Sequence, residues 1–368
     1  MHTQTIKIRH VKEISEFKAL RDQWEVLFNQ RTQKTVFLSW EWLYTWWKYN
    51  GMNKELWLLT AWHNDVLIGV APLMLSISTK YGLRFRLLET LGSPNIDESD
   101  FLVKKGHEQA YTLFIEYIYS HKNMWDALKL NELHANSDST KLIKNLLVDS
   151  SLINQYSTNQ HYHIPINSSW EEYVKSLSKN TRDSITKRLR QAKKKYKFEF
   201  KYLKSEQIRL EHFEMLFEVN KKGRYSSVYN DDTERAFHKE LFEVTKERNW
   251  VEIIMIFLDD QPVAFDYGFN LDGRFEDWRT GYDLSFRQQA VGKLLLYLSL
   301  EFQFTNGYRD FDFLRGDHDY KSQWNPLHHD YLNIIAVKKW HIPARLTLIT
   351  LPKIWKWIKE VILRKKED

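Results

Sequence analysis

One arrangement of helices and strands occurs twice in the sequence, and it limits the possible folds more than any other feature. Each copy has two helical patterns followed by an apolar strand, a polar turn and a second strand. The first copy has helical patterns at about 13–29 and 39–49, with Ser39 as N-cap, and then WLLTAWHNDVLIGVAPL at 57–73. The second copy has helical patterns at about 206–222 and 232–247, and then IIMIFLDDQPVAFDYG at 253–268.

The polar turns of the two copies also align. Asn64 and Asp65 correspond to Asp259 and Asp260, and each pair is followed by a short apolar run. Such pairs are typical of tight β-hairpins. The repeated order of elements therefore predicts a duplicated α/β chain in which the same hairpin is used twice.

Composition excludes several classes of site. The chain has 368 residues, of which 43% are hydrophobic, so it is long enough for about two domains. It has no Cys, which excludes disulfides, thiolate nucleophiles and cysteine-bound zinc or iron–sulfur centres. Apolar runs stay well below the roughly 20 residues that a membrane-spanning helix needs, and we expect a cytoplasmic protein.

Positive charge is concentrated in one segment. Residues 179–197 carry nine Lys and Arg side chains against Asp183 alone, a local charge of +8 in a chain of net charge +6. Ile185, Leu189 and Ala192 recur there at helical spacing, which predicts an amphipathic helix. Two interpretations stay open: a docked helix with a solvated charged face, or a surface for a polyanion such as a phosphorylated cofactor, a nucleotide-linked substrate, RNA or a membrane.

Glycine indicates which half carries a ligand site. Six of the 12 glycines fall within residues 268–316. Strands at 261–271 and 274–282 are followed there by a helix that begins near Gly292, with Arg287 and Lys293 beside its start. Unpaired backbone N–H groups make a helix N-terminus suitable for an anion, and glycine allows a close approach to the main chain.

The residues at this helix start resemble a known motif. Gln289, Gly292 and Leu294 are similar to the acetyl-coenzyme A loop of the GNAT (GCN5-related N-acetyltransferase) superfamily, written Q/R-x-x-G-x-G/A. Leu294 departs from the small residue of that motif. The run GYRDFDFLRGDHDYKSQW at 307–324 closely resembles the signature of the BioF2-like or CelD-like branch.

The resemblance extends through most of residues 10–340. VFLSWEWLYTWW at 36–47, the Ala71–Leu73 tripeptide and LGSPNIDESDFLV at 91–103 are similar to the first half of that branch. It implies an α/β fold with a mixed sheet in tandem GNAT-like domains, as in the related Fem-type aminoacyl transferases. We expect an N-terminal domain at 1–165, a catalytic domain at 166–340 and an amphipathic basic tail at 341–368.

The resemblance also implies a donor site. The strand at about 275–282 would pair with the pantetheine arm of acetyl-CoA or another acyl-CoA. The loop that holds the pyrophosphate would consist of Arg287, Gln289, Val291, Gly292, Lys293 and Leu294. The catalytic candidates, from their position on the next strand and its exit, are Asp312, Asp317, Tyr320 and Lys321.

Each catalytic candidate has an expected role. Asp312 or Asp317 would act as base or acceptor anchor, Tyr320 would protonate the departing thiolate, and Lys321 would bind a phosphate or carboxylate of the acceptor. Side chains alternate along a strand, which places Asp310 and Asp312 on one face. Asp310 would then either line the site beside Asp312 or simply face solvent. Clustered carboxylates suit magnesium or calcium, but ligand spacing is missing, and we expect no metal.

The expected activity is acyl transfer from coenzyme A to an amine or hydroxyl, on a sugar or glycan precursor. The alternatives are a Fem-like transferase that uses aminoacyl-tRNA, gripped by residues 179–197, and a non-catalytic GNAT-like scaffold. The segment 352–366 combines apolar and basic residues, and it would either lie on an anionic membrane surface or dock on protein.

Overall fold

The computed structural model describes residues 5–224, 227, 229–316, 319–355 and 357–358. These residues divide into two compact α/β units. The first unit contains residues 5–33, 37–159 and those from 330 onward, and the second contains 34–36 and 160–329. Residues 330–340 therefore belong to the first unit, whereas the sequence-based boundaries after 165 and 340, which stay predictions, assign them to the second.

The first unit is a mixed sheet flanked by helices. Its strands are β1 (Lys7–Val11), β2 (Lys54–His63), β3 (Val66–Lys80), β4 (Leu83–Thr90), β5 (Leu102–Val103), β6 (Ala127–His134), the start of β7 (Leu152–Pro165) and the end of β13 (Leu327–Lys338). Its helices are α1 (Ile14–Ala19), α2 (Arg21–Asn29), α3 (Trp40–Asn50), α4 (Gln109–Ser120), α5 (Asp138–Leu146) and α12 (Ile342–Arg345). The sheet order is β1-β2-β3-β4-β6-β13, with β5 on β3, and only β4 and β6 pair in parallel among these neighbours.

The second unit repeats this plan. Its strands are the end of β7, β8 (Phe198–Lys204), β9 (Val251–Leu258), β10 (Gln261–Leu271), β11 (Arg274–Tyr282) and β12 (Asp310–Arg315). Its helices are α6 (Trp170–Ser176), α7 (Lys179–Lys195), α8 (Leu210–Lys221), α9 (Asp232–Thr245), α10 (Val291–Thr305) and α11 (Asp319–Ser322). The order is β7-β12-β11-β10-β9-β8, and here β11 and β12 form the parallel pair.

The duplicated hairpin is confirmed. In each unit helices precede two antiparallel strands: α1, α2 and α3 precede β2–β3 in the first, and α8 and α9 precede β9–β10 in the second. The helix expected at about 13–29 is divided into α1 and α2. Asn64 and Asp65 have φ values of 50° and 59°, and Asp259 and Asp260 have 51° and 65°. Positive φ at both central residues is the signature of a type I′ turn, which Asn and Asp adopt more readily than most residues.

Local sequence explains the helices that were expected. Ser39 caps α3, and its hydroxyl accepts a hydrogen bond from the Trp42 backbone N–H at 3.1 Å. Trp42 and Trp46 are buried, so this tryptophan-rich helix serves packing. The basic segment is helical as predicted, and α7 buries Ile185 and Ala192 against the second unit.

Each face of the second sheet packs on different helices. Ile254, Ala264 and Phe275 share a hydrophobic core with Leu294 of α10. The opposite face carries Tyr267, whose ring centroid is 5.4 Å from that of Phe213 in α8. Side chains alternate along a strand, so the even-numbered residues of β10 around Ala264 face the α10 side.

A β-bulge interrupts β11 at the centre of this sheet. Tyr267 pairs with Arg279, but Gly268 pairs with Asp277, so that Trp278 is an extra residue on β11. A Cβ atom at Gly268 would lie 2.1 Å from the Glu276 carbonyl oxygen. Glycine is therefore required where the bulge brings the two backbones together.

The chain after β13 begins on the first unit. Ala344 and Ile349, the latter in a π-helical turn at Leu346–Thr350, pack with Phe85 and Val337. Farther on, Trp355 is 55% exposed and Trp357 is 64% exposed. Residues 356 and 359–366 of the predicted amphipathic segment lie outside the described residues, and membrane contact stays a prediction. Within the described part of the chain, no helix is both long and apolar enough to span a bilayer.

We expect the Gly268→Ala substitution to destabilise the protein by about 1–3 kcal/mol, because the bulge must move to accept the methyl group. Thermal unfolding monitored by circular dichroism measures the effect. Gly307→Asn is the control, since Gly307 has φ 78° with open space around it, and Asn tolerates this conformation. Equal melting temperatures for wild type and Gly268→Ala would contradict this account of the bulge.

Candidate active site

Two parallel strands separate in the second unit. β11 and β12 pair only from Arg274 opposite Asp310 to Glu276 opposite Asp312. Beyond this point β11 continues to Tyr282 and β12 to Arg315, with no further pairing between them among the described residues. The separation leaves backbone groups of β11 available to an extended ligand.

A buried ion network lies where the strands separate. The Arg274 guanidinium donates to the Asp312 carboxylate, with Nε at 3.2 Å and Nη2 at 2.5 Å from Oδ2, and its Nη1 lies 3.3 Å from Glu276 Oε1. Glu276 Oε2 also accepts from the Val36 backbone N–H at 3.0 Å. All three charged side chains are buried, so the network fixes the backbone on both strands.

This network determines the charge of Asp312. Burial acts to raise the pKa of Asp312, but the charges of Arg274 and His161, together with hydrogen bonds from Arg274 and the Leu314 N–H, outweigh burial and hold that pKa below its usual range. Asp312 Oδ1 also accepts from the Leu314 backbone N–H at 2.6 Å. An ionised, fully bonded carboxylate is suited to holding the site in place and is a poor proton acceptor.

Lys321 and Tyr320 lie at the exit of β12. Lys321 is 2% exposed, and its Nζ donates to the carbonyl oxygens of Phe313, Leu314 and Arg315 at 3.2–3.3 Å. It thereby supports the turn at Leu314, whose φ is 54°. Tyr320 is 40% exposed; partial burial and the nearby carboxyls of Asp277 and Asp266 raise the pKa of its phenol, which stays a proton donor at neutral pH.

The other aspartates of this segment differ in position. Asp310 is half-buried and its carboxylate lies 2.9 Å from His163 Nδ1, while the His163 ring stacks on His329. Asp310 thus bonds within the sheet and does not line the separation of the strands. Asp317, a predicted catalytic residue, lies outside the described residues.

Two carboxyls that the sequence reasoning missed lie on the α10 side of the sheet. Asp266 is 3% exposed, and its Oδ2 has no hydrogen-bond partner among the described residues. Asp277, the residue after the last β11–β12 pair, is partly buried, and its Oδ1 also lacks one. The sequence signal that could have indicated this pair is the position of Asp266 within an otherwise apolar strand.

The predicted donor loop leads into α10. Asp283 caps the turn at Leu284–Gln289, and its side chain accepts from the Ser285 backbone N–H at 2.9 Å. Ala290 is left-handed, with φ 55°, and α10 begins after it without a side-chain cap. A helix start without a capping side chain leaves its first N–H groups for an anion.

Basic side chains surround this helix start. Arg188 of α7 donates through Nη1 to the Gln288 carbonyl, which places the basic helix beside the loop. Burial, together with the charge of Arg188, lowers the pKa of Lys293. Lys293 Nζ donates to Gln323 Oε1 at 2.9 Å, so its partner in this hydrogen bond is an uncharged amide.

The predicted loop residues divide into two groups. Arg287 is exposed, and Gln289 Nε2 donates to the Tyr196 hydroxyl at 3.2 Å. Val291 and Leu294 are fully buried in the core, so Leu294 does not extend into the loop surface. A Cβ atom at Gly292 would lie 3.1 Å from the Tyr282 ring, which shows that this glycine allows close packing on β11.

The corresponding opening of the first unit is filled by its own chain. β4 and β6 pair from Leu87 to Glu89, and then residues 91–99 enter between them. Ser99 forms a parallel bridge with Leu133, and its N–H donates to the Glu132 carbonyl at 2.8 Å. In this unit the backbone of β6 beyond the pairing is therefore bonded to the chain's own Ser99.

The first unit has a separate cleft of about 490 Å³. Its polar wall includes Arg31, whose Nη1 lies 3.0 Å from Asp100 Oδ2, and Ser139, which donates to the same oxygen at 2.9 Å. These three groups bond to one another. Across the described residues, no group of three or more His, Asp or Glu side chains is arranged to hold a metal ion.

We expect Arg274→Ala to cost about 3–5 kcal/mol of unfolding free energy at pH 7, because it leaves two buried carboxylates uncompensated. The lowered pKa of Asp312 stabilises the wild type above the unfolded pKa near 4, and this contribution is lost as pH falls through the folded pKa. The difference from wild type should therefore shrink toward acid pH.

Urea unfolding at pH 7 and at about pH 2, below the unfolded pKa, measures this difference. Lys197→Ala is the matched control, because it removes a cation from an ion pair with Asp260 in which both side chains are 70% exposed. A small loss for Arg274→Ala, equal to that of Lys197→Ala, would contradict the structural role of the network.

Comparison with known proteins agrees with this geometry. The family model described as an acetyltransferase (GNAT) domain matches residues 179–322, which include α7, the donor loop and the β11–β12 separation. Comparison with curated proteins gives no significant match.

Several solved structures have a similar fold. FemX is 10% identical, with 89% of this chain and 96% of that chain covered and a TM-score of 0.56. L-PGS from Bacillus licheniformis is 10% identical, with coverage of 89% and 95% and a TM-score of 0.53. A tandem GNAT protein from the clavulanic acid biosynthesis pathway is 8% identical, with coverage of 91% and 98% and a TM-score of 0.50.

These likenesses concern the fold. Residues 179–322 therefore match the model of an acetyltransferase (GNAT) domain, and the chain as a whole is similar in fold to FemX and to a tandem GNAT protein.

Proposed function

We propose that the protein is an acyltransferase that moves an acetyl or other acyl group from coenzyme A to an acceptor in the second unit. The observation that carries this proposal is the uncapped start of α10, flanked by Arg188 and Lys293, next to the separated strands β11 and β12. Anion-binding and strand-pairing groups thus occur side by side, as a donor with a diphosphate and an amide-containing arm requires.

The cations are suited to phosphate rather than to a protein partner. Burial and a neighbouring cation lower the pKa of Lys293, so the ligand-free site bears an electrostatic cost. A phosphate between Lys293 and Arg188 would relieve this cost and form charge-assisted hydrogen bonds. We assign the donor diphosphate to Arg188, Lys293, Gln289 and the first backbone N–H groups of α10.

The reacting end of the donor would lie near the point of strand separation. We assign Tyr320 as the group that protonates the departing thiolate there, since its raised pKa keeps the phenol protonated until that step. Arg274, Asp312 and Lys321 hold the backbone around it. The proposed role of Asp317 as base or acceptor anchor rests on the sequence pattern alone.

An amine or hydroxyl on a sugar or glycan precursor is the proposed acceptor, on the strength of the family resemblance. The Fem-like alternative, with an aminoacyl-tRNA donor, is favoured by one observation: α7 carries more cations than a single diphosphate needs. The two donors differ in size and charge, and binding measurements separate them.

Calorimetric titration with acetyl-CoA tests the donor assignment. We expect one binding site in the wild type and about 10- to 100-fold weaker binding in both Lys293→Glu and Arg188→Glu, since each loses a charge-assisted contact of about 1.5–3 kcal/mol. These variants are preferable to a substitution at Gly292, which would also disturb the packing on Tyr282.

Lys141→Glu is the matched control, because it makes the same charge change on an exposed side chain of α5 in the first unit. Absence of acetyl-CoA binding by the wild type would overturn the proposal. Salt-sensitive binding of tRNA that is weakened by the same two substitutions, without acetyl-CoA binding, would favour the Fem-like alternative.

A further inference from the structure

Three tryptophans that follow β13 in the first unit are exposed. Trp340, in the turn between β13 and α12, is 87% exposed, and Trp355 and Trp357 are each more than half exposed. Tryptophan is highly buried on average, as Trp46 and Trp57 are in the same unit. Three indoles this exposed within residues 340–357 indicate an interaction surface, because large apolar side chains gain free energy when a partner covers them. We call residues 340–355 and 357–358 the tryptophan segment.

The helical part of the tryptophan segment is anchored to the first unit at one end. Ala344 and Ile349 are buried in a small core with side chains of β4 and β13. The helix continues beyond them, and each of the four residues at 352–355 is exposed. Because 3.6 residues make one turn, four successive residues point to all sides of a helix. No side of this turn is therefore buried by the described residues, although it carries Ile354 and Trp355.

Basic side chains accompany the exposed apolar ones. Residues 339–368 contain eight Lys and Arg and three Asp and Glu, a local charge of +5. Lys339 and Lys353 are exposed, and Arg345 is held beside the turn because its Nη1 donates to the Lys339 carbonyl at 3.2 Å. The segment thus combines apolar side chains with a positive charge that attracts an anionic partner.

Aliphatic residues distinguish a lipid surface from RNA as that partner. Ile342 is 56% exposed and Ile354 is 46% exposed. RNA binds exposed aromatic rings by stacking, and an aliphatic side chain offers no stacking surface. In a bilayer, aliphatic groups enter the acyl-chain boundary, indoles favour the interface, and Lys and Arg stay at the headgroups. The sequence continues this combination with an apolar run at 361–363 and a basic run at 364–366.

We propose that the tryptophan segment binds the surface of anionic lipid bilayers, with its indole and aliphatic side chains in the boundary between headgroups and acyl chains. Its cations would contact the lipid phosphates. A turn exposed on all sides suits a fluid medium that can surround it, whereas a folded protein partner covers one side. The segment belongs to the first unit, and the residues assigned to the donor belong to the second, so the inference does not depend on the proposed acyl transfer.

Sedimentation of the whole chain with lipid vesicles tests this proposal. We expect binding to vesicles of phosphatidylglycerol and phosphatidylcholine in equal parts, and at least about 10-fold weaker binding to pure phosphatidylcholine, which lacks the charge that attracts the basic residues. Raising the salt concentration to about 1 M should weaken binding to the anionic vesicles, because the Debye length shortens to about 3 Å. Absence of binding to the anionic vesicles, or equal binding to both kinds, would overturn the proposal.

Two variants place the binding on the tryptophan segment. The double variant Trp355→Ala/Trp357→Ala should bind anionic vesicles at least about 10-fold more weakly, because two indoles no longer leave water. Lys353→Glu should also bind about 10-fold more weakly, because its charge is reversed. The variants should melt at the wild-type temperature, since the substituted side chains are exposed.

Each variant has a matched control in the first unit. Met52→Ala removes an apolar side chain that is 81% exposed outside the segment, and Lys141→Glu reverses an exposed charge on α5. Both controls should bind anionic vesicles as the wild type does. If Trp355→Ala/Trp357→Ala binds as tightly as Met52→Ala, the assignment to this segment is wrong.

RNA and a second copy of the chain are the competing partners. Suppose that the wild type binds tRNA, or dimerises as its concentration rises, without binding vesicles, and that Trp355→Ala/Trp357→Ala loses this association. The segment would then bind that partner, and the lipid assignment would be overturned. Calorimetric titration of the same double variant with acetyl-CoA should match wild type, so failure of this inference and failure of the proposed donor site are distinct.

Discussion

The fold of the second unit depends on one buried cation placed between two parallel strands as they separate. Parallel strands normally continue side by side, and separating them exposes backbone groups that water or a ligand must satisfy. Arg274 bonds to Asp312 on one strand and to Glu276 on its own, and Glu276 in turn receives the Val36 N–H. Once this position is fixed, Lys321 supports the β12 turn by bonding to three carbonyl oxygens. The ion network therefore determines where a ligand can enter the sheet.

The two units share a plan but differ at this position. In the first unit the segment at 91–99 follows β4, and Ser99 forms a backbone hydrogen bond and a parallel bridge with β6 beyond the end of the β4–β6 pairing. In the second unit the pairing of β11 and β12 ends at Glu276 and Asp312. Duplication thus yields two similar frameworks, one of which has used its opening for stability.

Patterns governed by local chemistry were predictable from the sequence. The paired turns at Asn64 and Asp259, the Ser39 cap and the strands β10 and β11 follow from turn chemistry, capping and alternation. The role of Arg274 was not predictable, because its partners are 2 residues away on one strand and 38 away on another. Asp277 was missed for a related reason, since its neighbour Asp266 lies on another strand, in a register that the bulge opposite Gly268 sets. Lys321, expected to contact the acceptor, bonds to the backbone instead, and only tertiary structure could reveal those carbonyls.

Two clusters of like charge lie at separate places in the second unit. Arg188 and Lys293 place cations together at the start of α10, while Asp266 and Asp277 place carboxyls together on the β10–β11 hairpin. Each cluster weakens the ligand-free fold, and a ligand of opposite charge would relieve that cost. The cations lie at the start of α10, which follows β11, whereas Asp277 lies within β11 just after its last pair with β12. The two clusters therefore present opposite charges at separate places in one sheet-and-helix unit.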